Sequence, residues 1–148
     1  MTNYSMNAWK SAVESAWAFS GINQSNQASL SMNVSITFSL SNTWNPNWSA
    51  SYDNVVTFTD ASNAFSQVSG GNTGLWKVGI SDQVVVHEVG HFMQAPDKYT
   101  VSHPDGVRTT TPIEGWAGTI MGAGAGSASK KDANLVLGSL GETVHLFE

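Results

Sequence analysis

The sequence predicts a single α+β domain over residues 1–148, with a small twisted mixed sheet, an N-terminal helix, a second helix past the middle of the chain and a C-terminal helix. Three observations carry this expectation. Residues 30–40 alternate without a break, with Leu30, Met32, Val34, Ile36, Phe38 and Leu40 on one face and small polar residues on the other, which marks a half-buried strand. Trp9, Val13 and Trp17 recur at helical spacing with Ala12 and Ala16 beside them. The apolar run from Val84 onward ends at Ala95 and Pro96, where a helix must stop.

The first helix is expected over about residues 7–20, with Gly21 as its C′ residue. After the alternating strand, residues 41–54 contain Asn45-Pro46 and many small polar residues, so a loop is expected there, with Trp44 and Trp48 packing over a sheet edge or forming a substrate platform. Val55–Thr59 and residues 75–80 read as further strands, the second turning Trp76, Val78 and Ile80 to one side after a turn supplied by Gly70, Gly71, Asn72 and Gly74. Ser81 or Asp82 can cap the second helix. Residues 99–111 read as a hairpin around Asp105-Gly106, a pair suited to a type I′ turn. Ser129 can cap the last helix with Asp132 three residues on, and Leu135, Val136 and Leu140 give it an inner face.

Composition narrows the function. A net charge of −5 with only 6 basic residues leaves no electrostatic footprint for nucleic acid or an anionic membrane. There is no cysteine, so disulfides and thiolate metal sites are excluded and any metal must be held by histidine and carboxylate. No apolar run reaches the length of a membrane span and no signal-peptide pattern opens the chain. Charged residues make up 11% of the chain, and a surface of Ser, Thr, Asn and Gly in their place suits a secreted or exported protein.

The chemistry lies in His87-Glu88-Val89-Gly90-His91, an HExxH pattern on the predicted second helix. Residues i and i+4 stand one above the other on a helix, so both imidazoles reach a single cation while the adjacent glutamate faces a water on it. Zinc lowers the pKa of that water toward neutrality, and Glu88 takes its proton as it attacks a polarised carbonyl. Two histidines and a glutamate also fall at this spacing by accident, but the helix, the flanking strands and the breaker favour the catalytic reading.

Catalytic zinc takes three protein ligands, and the third is open to Asp97, His103 or Glu114. Asp97 is favoured because it follows Pro96, where the chain can turn back beneath the metal. His103 would lie in a hairpin loop, and Glu114 in a stretch broken by Pro112, Gly115 and Gly118.

The run from His87 to Asp97 resembles the extended metzincin motif HExxHxxGxxH in its aspartate variant, as in snapalysin-like small bacterial metalloproteases. Gly118-Thr119-Ile120-Met121-Gly122 is similar to the metzincin Met-turn, with Met121 as the floor beneath the zinc ligands. The stretch from Asp97 to Gly122 is also similar to metallopeptidase domains of bacterial RHS-type polymorphic toxins. The resemblance rests on motifs over residues 82–137 and elsewhere on layout. It implies a zincin-like fold and a zinc endopeptidase, with His87, His91 and Asp97 as ligands, Glu88 as base and Met121 as the Met-turn residue.

Gln94 departs from the pattern, standing where the family has glycine. A non-glycine residue with positive φ carries strain of about 1 kcal/mol, so a differently shaped turn is expected there. No tyrosine closely follows Met121, and Tyr99 is expected to be a packing residue.

The expected function is therefore zinc-dependent hydrolysis of peptide bonds by a monomer. Its partners would be a protein or peptide substrate, and an inhibitor or immunity protein if the domain is an excised effector. Residues 75–80 are the candidate edge for substrate pairing. The competing readings are a non-catalytic carbohydrate- or protein-binding module, suggested by six tryptophans, and a metal-binding pseudoenzyme.

Overall fold

The computed structural model describes residues 3–22, 29–38, 54–60, 67–69, 72–124 and 126–139. Within them the architecture is α+β. Three helices, α1 (Asn3–Ala16), α2 (Asp82–Phe92) and α3 (Lys130–Ser139), combine with seven strands: β1 (Phe19–Ile22), β2 (Ser29–Met32), β3 (Val55–Thr59), β4 (Gln67–Ser69), β5 (Thr73–Lys77), β6 (Tyr99–Ser102) and β7 (Thr109–Pro112). The strands form three small sheets: β1 pairs with β2 and β6 with β7, both antiparallel, and the mixed sheet runs β3-β5-β4, with β3 parallel and β4 antiparallel to β5.

The first helix ends four residues sooner than its periodicity predicts. Trp17 donates its backbone N–H to Val13 and buries its side chain completely, and the chain then leaves as β1. Gly21 is thus a strand residue paired with Leu30, not a helix C′. The alternating stretch forms a ladder only through Met32. Residues 33–38 keep the alternating burial without a strand ladder among the described residues, because side chains of α1 take over their backbone groups: Lys10 donates to Ile36 O at 2.8 Å, and Ile36 N–H donates to Glu14 at 3.1 Å. Leu40, Trp44, Trp48, Gly70, Gly71 and Leu140 lie outside the described residues.

The expected strand at residues 75–80 is shifted to Thr73–Lys77, so Gly74 sits in the strand rather than in the preceding turn. Gly79 has φ 79° in the turn that follows, which leaves Val78 exposed while Trp76 is fully buried. The strand is also central, with β3 and β4 on its two sides, so it is not an edge open to a substrate; among the described residues β4 is the antiparallel edge. Asp105 and Gly106 adopt φ 52° and 79°, as a type I′ turn requires, closed by Val107 N–H to Pro104 O at 2.9 Å.

The core that positions the site is aromatic. Trp9 stacks on Phe58 and meets Trp76 and Phe38 edge-on, and Trp76 packs on Phe92 at the end of α2. Trp17 crosses from α1 to α2, where its indole N–H donates to Val86 O at 2.9 Å. That contact needs Gly90: a Cβ there would lie 2.8 Å from the Trp17 ring and 2.5 Å from Met121 Sδ. The absence of a side chain in the last turn of α2 lets a tryptophan and a methionine clasp the helix.

Candidate metal centre

Helix α2 starts at Ser81, whose hydroxyl accepts from Val84 N–H at 3.4 Å. Val85, Val86 and Val89 bury one face against the core, which turns His87 and His91 to the opposite side, one turn apart. Their ring centroids are 4.8 Å apart with the planes perpendicular.

The helix ends in a tight reversal. Gln94 N–H donates to His91 O at 2.9 Å and Ala95 N–H to Gly90 O at 3.0 Å, the pair of bonds that defines a Schellman ending with Gln94 at C′. Gln94 has φ 67°. The turn therefore keeps the left-handed shape that glycine would favour rather than taking a different one, because two hydrogen bonds and the burial of Ala95 at 1% exposure hold it. Gln94→Gly is expected to raise stability by about 1 kcal/mol, read as a higher urea midpoint at unchanged slope.

This reversal returns Asp97 to the two histidines. Asp97 Oδ1 is 3.0 Å from His87 Nε2 and 3.3 Å from His91 Nε2. The far nitrogens are fixed as donors, since His87 Nδ1–H meets Ile120 O at 2.9 Å and His91 Nδ1–H meets Ala95 O at 2.8 Å, and a carbonyl can only accept. Each neutral ring thus aims the lone pair of Nε2 at a carboxylate oxygen. Three electron-pair donors facing one another repel unless a cation lies between them, and either a proton or a metal ion meets that need. Asp97 is held well below the usual carboxylate range: burial works the other way, and hydrogen bonds from His87 and His91 outweigh it. Burial likewise pulls His91 down, but Asp97 and the Ala95 carbonyl raise it above 6.5. Among the described residues, His87, His91 and Asp97 are the one acidic and histidine group arranged to hold a metal ion; His103 and Glu114 are exposed and stand outside it.

Glu88 is 5% exposed, and its Oε2 has no hydrogen-bond partner among the described residues. Burial raises its carboxyl above 4.5, against the pull of His87 and His91. An unpartnered buried carboxylate is a costly feature to keep in a helix for packing alone, and it is the form that a proton acceptor takes.

The turn at residues 119–122 packs against α2 at Gly90. Met121 is fully buried with its sulfur against Gly90, and its carbonyl accepts Lys98 N–H at 2.8 Å, which pins the residue after Asp97. A Cβ at Gly122 would lie 1.9 Å from Trp116 O, so this turn closes only with glycine.

Two contributors are missed by sequence reasoning. Tyr99 packs on the His87 ring at 5.6 Å, and burial together with the nearby Asp97 carboxylate pushes its phenol up to about 12. Its position two residues beyond Asp97, at the root of β6, is the signal that could have found it. Asp132 completes the expected box with Ser129, but it also accepts Ile120 N–H at 3.2 Å and Met121 N–H at 3.0 Å. A capping pattern carries no sign of that second task. Comparison with protein-family models, curated proteins and solved structures finds no match to this chain.

Proposed function

We propose that this chain is a zinc-dependent endopeptidase of metzincin-like construction, with His87, His91 and Asp97 as ligands and Glu88 as general base. The observation that carries the reading is the convergence of two Nε2 atoms and Asp97 Oδ1 beside a buried, unpartnered glutamate. Zinc bonds of about 2.0–2.1 Å place tetrahedral donors about 3.3–3.4 Å apart. The 3.3 Å from His91 matches that spacing and the 3.0 Å from His87 is about 0.3 Å shorter, with all three donor atoms within 4.8 Å of one another, and two imidazoles with one carboxylate are a donor set that zinc accepts.

Bound zinc would polarise the scissile carbonyl and acidify a water. The remaining steps belong to the protein. Glu88 takes the water's proton at its free Oε2 and returns it to the departing amine, and its burial brings its affinity for protons closer to that task. Tyr99 packs on the His87 ring, and the carbonyls of Ile120 and Ala95 keep both imidazoles facing inward. The antiparallel edge β4 beside α2 is the strand onto which an extended peptide would add.

The described tryptophans offer no platform for a binding module, since Trp9, Trp17 and Trp76 are core residues and Trp116 lies between Lys98 and Lys131, while Trp44 and Trp48 lie outside the described residues. A snapalysin-like secreted enzyme and an exported effector with an immunity partner remain proposals on the motif alone. No helix among the described residues is long and apolar enough to cross a membrane.

Two separate measurements test the reading: metal content by mass spectrometry, with about one zinc per chain expected, and cleavage of an unfolded protein that chelation stops and zinc restores. A chain that takes up no zinc would overturn it. Zinc without cleavage would leave a pseudoenzyme.

A further inference from the structure

One peptide unit links the candidate metal centre to the C-terminal helix. The bond between Ile120 and Met121 presents its carbonyl to His87 Nδ1–H at 2.9 Å and its N–H to Asp132 Oδ1 at 3.0 Å. Amide resonance connects the two ends, so an anion on the N–H side pushes electron density onto the oxygen. Asp132 is fully buried, and among the described residues its carboxylate accepts from the N–H groups of Ile120, Met121 and Ser129 and from the Ser129 hydroxyl. Both oxygens act as acceptors, as in an ionised carboxylate. In so dry a setting a charge acts strongly on the dipoles it touches, and a chain of hydrogen bonds strengthens its members.

We propose that Asp132 is a positioning residue for the metal centre, acting through the Ile120–Met121 peptide to orient His87 and make its Nε2 a stronger donor. The proposal rests on the zinc reading above. A carboxylate commonly orients a metal-binding histidine by direct contact; here a peptide unit lies between the two. His91 supplies an internal contrast. Its Nδ1–H donates to the carbonyl of Ala95, whose peptide leads into Pro96 and has no N–H to polarise. The two imidazoles therefore differ in kind: one is backed by a buried anion through an amide, the other by an amide that no such partner can reach.

The test compares zinc affinity, by competition with a chromophoric chelator, in the parent, Asp132→Asn and Ala133→Gly, with near-UV circular dichroism reporting the fold of each. Ala133 is a buried neighbour on α3, and glycine there weakens the helix without touching the carboxylate. Asp132→Asn is expected to bind zinc about 10–100-fold more weakly in the folded state, the usual loss when a group that orients a metal-binding histidine is removed, with Ala133→Gly at the parental affinity. A purely structural role would lower stability in both variants and leave affinity unchanged in both, which would overturn the proposal. Should Asp132→Asn fail to fold, the zinc-loaded parent labelled with ¹⁵N-histidine decides: the His87 Nδ1–H proton is expected downfield of that of His91, and coincident resonances would overturn the relay. A parent that binds no zinc removes both readings. A parent that binds zinc and cleaves no peptide removes only the endopeptidase, and the affinity comparison still decides the role of Asp132.

Discussion

Glu88→Gln is expected to lower peptide hydrolysis by about 10²–10⁴-fold while the chain keeps its zinc, because the substitution removes the proton acceptor and leaves His87, His91 and Asp97 in place. Turnover of an unfolded protein substrate, measured beside metal content, checks both halves. Near-parental activity would sink Glu88 as the base. The same variant should show what the carboxylate costs the fold. Burial raises the Glu88 carboxyl above 4.5, so the charged form is disfavoured in the folded chain. At pH below 4.5 both states are protonated and the group is neutral in its effect. As pH rises past 4.5 the unfolded chain releases its proton first, and stability falls. The metal-free glutamine variant is therefore expected to gain in melting temperature over the parent as pH increases through that window, with no gain below it.

Asp97→Asn carries the second large effect. It removes a ligand itself, so zinc affinity is expected to fall by more than the roughly 10–100-fold of a second-shell change, and peptide hydrolysis with it. Chelator competition measures the first, and retention of parental affinity would exclude Asp97 from the ligand set. In the metal-free chain the substitution also dissolves the pairing with His91. Asp97 is depressed below 3.8, so its contribution is present above that pH and lost as pH falls through its folded value. His91 is raised above 6.5, so its contribution is complete below that pH and fades as pH climbs through its folded value. The parent's advantage in thermal melting should accordingly be greatest between about pH 3.8 and 6.5. An advantage that is flat across pH would mean the pair contributes little to folding.

The helix of the site was open to sequence reasoning because every signal in it is local: a cap at Ser81, two histidines one turn apart, a stop at Pro96. Asp97 could be placed for the same reason, since the reversal that returns it is made within residues 90–95. Gln94 was misjudged in outcome, as the hydrogen bonds of the reversal outweigh a preference of about 1 kcal/mol for glycine. Strand reading failed where hydrogen bonding and burial part company. Alternation at residues 33–38 reports which side chains are covered, yet the backbone there bonds to Lys10 and Glu14 rather than to a neighbouring strand. The three residues of β4 are too few for any period to register, and with β4 unseen, β5 could be taken for an edge. Asp132 acts through tertiary contacts, to which no spacing rule points.

The three donors of the centre all fall within residues 87–97, whereas the groups that aim His87 come from residues 120 and 132. A chain that has lost its fold can still gather donors so close in sequence, because the loops to be closed are short. The unfolded ensemble is then a competitor for zinc, and ligand linkage rewards only the difference between folded and unfolded affinities. Protection of this chain by zinc against denaturant thus gauges how much tighter a rigid, correctly turned imidazole binds than a free one, and the distant C-terminal helix sets that difference.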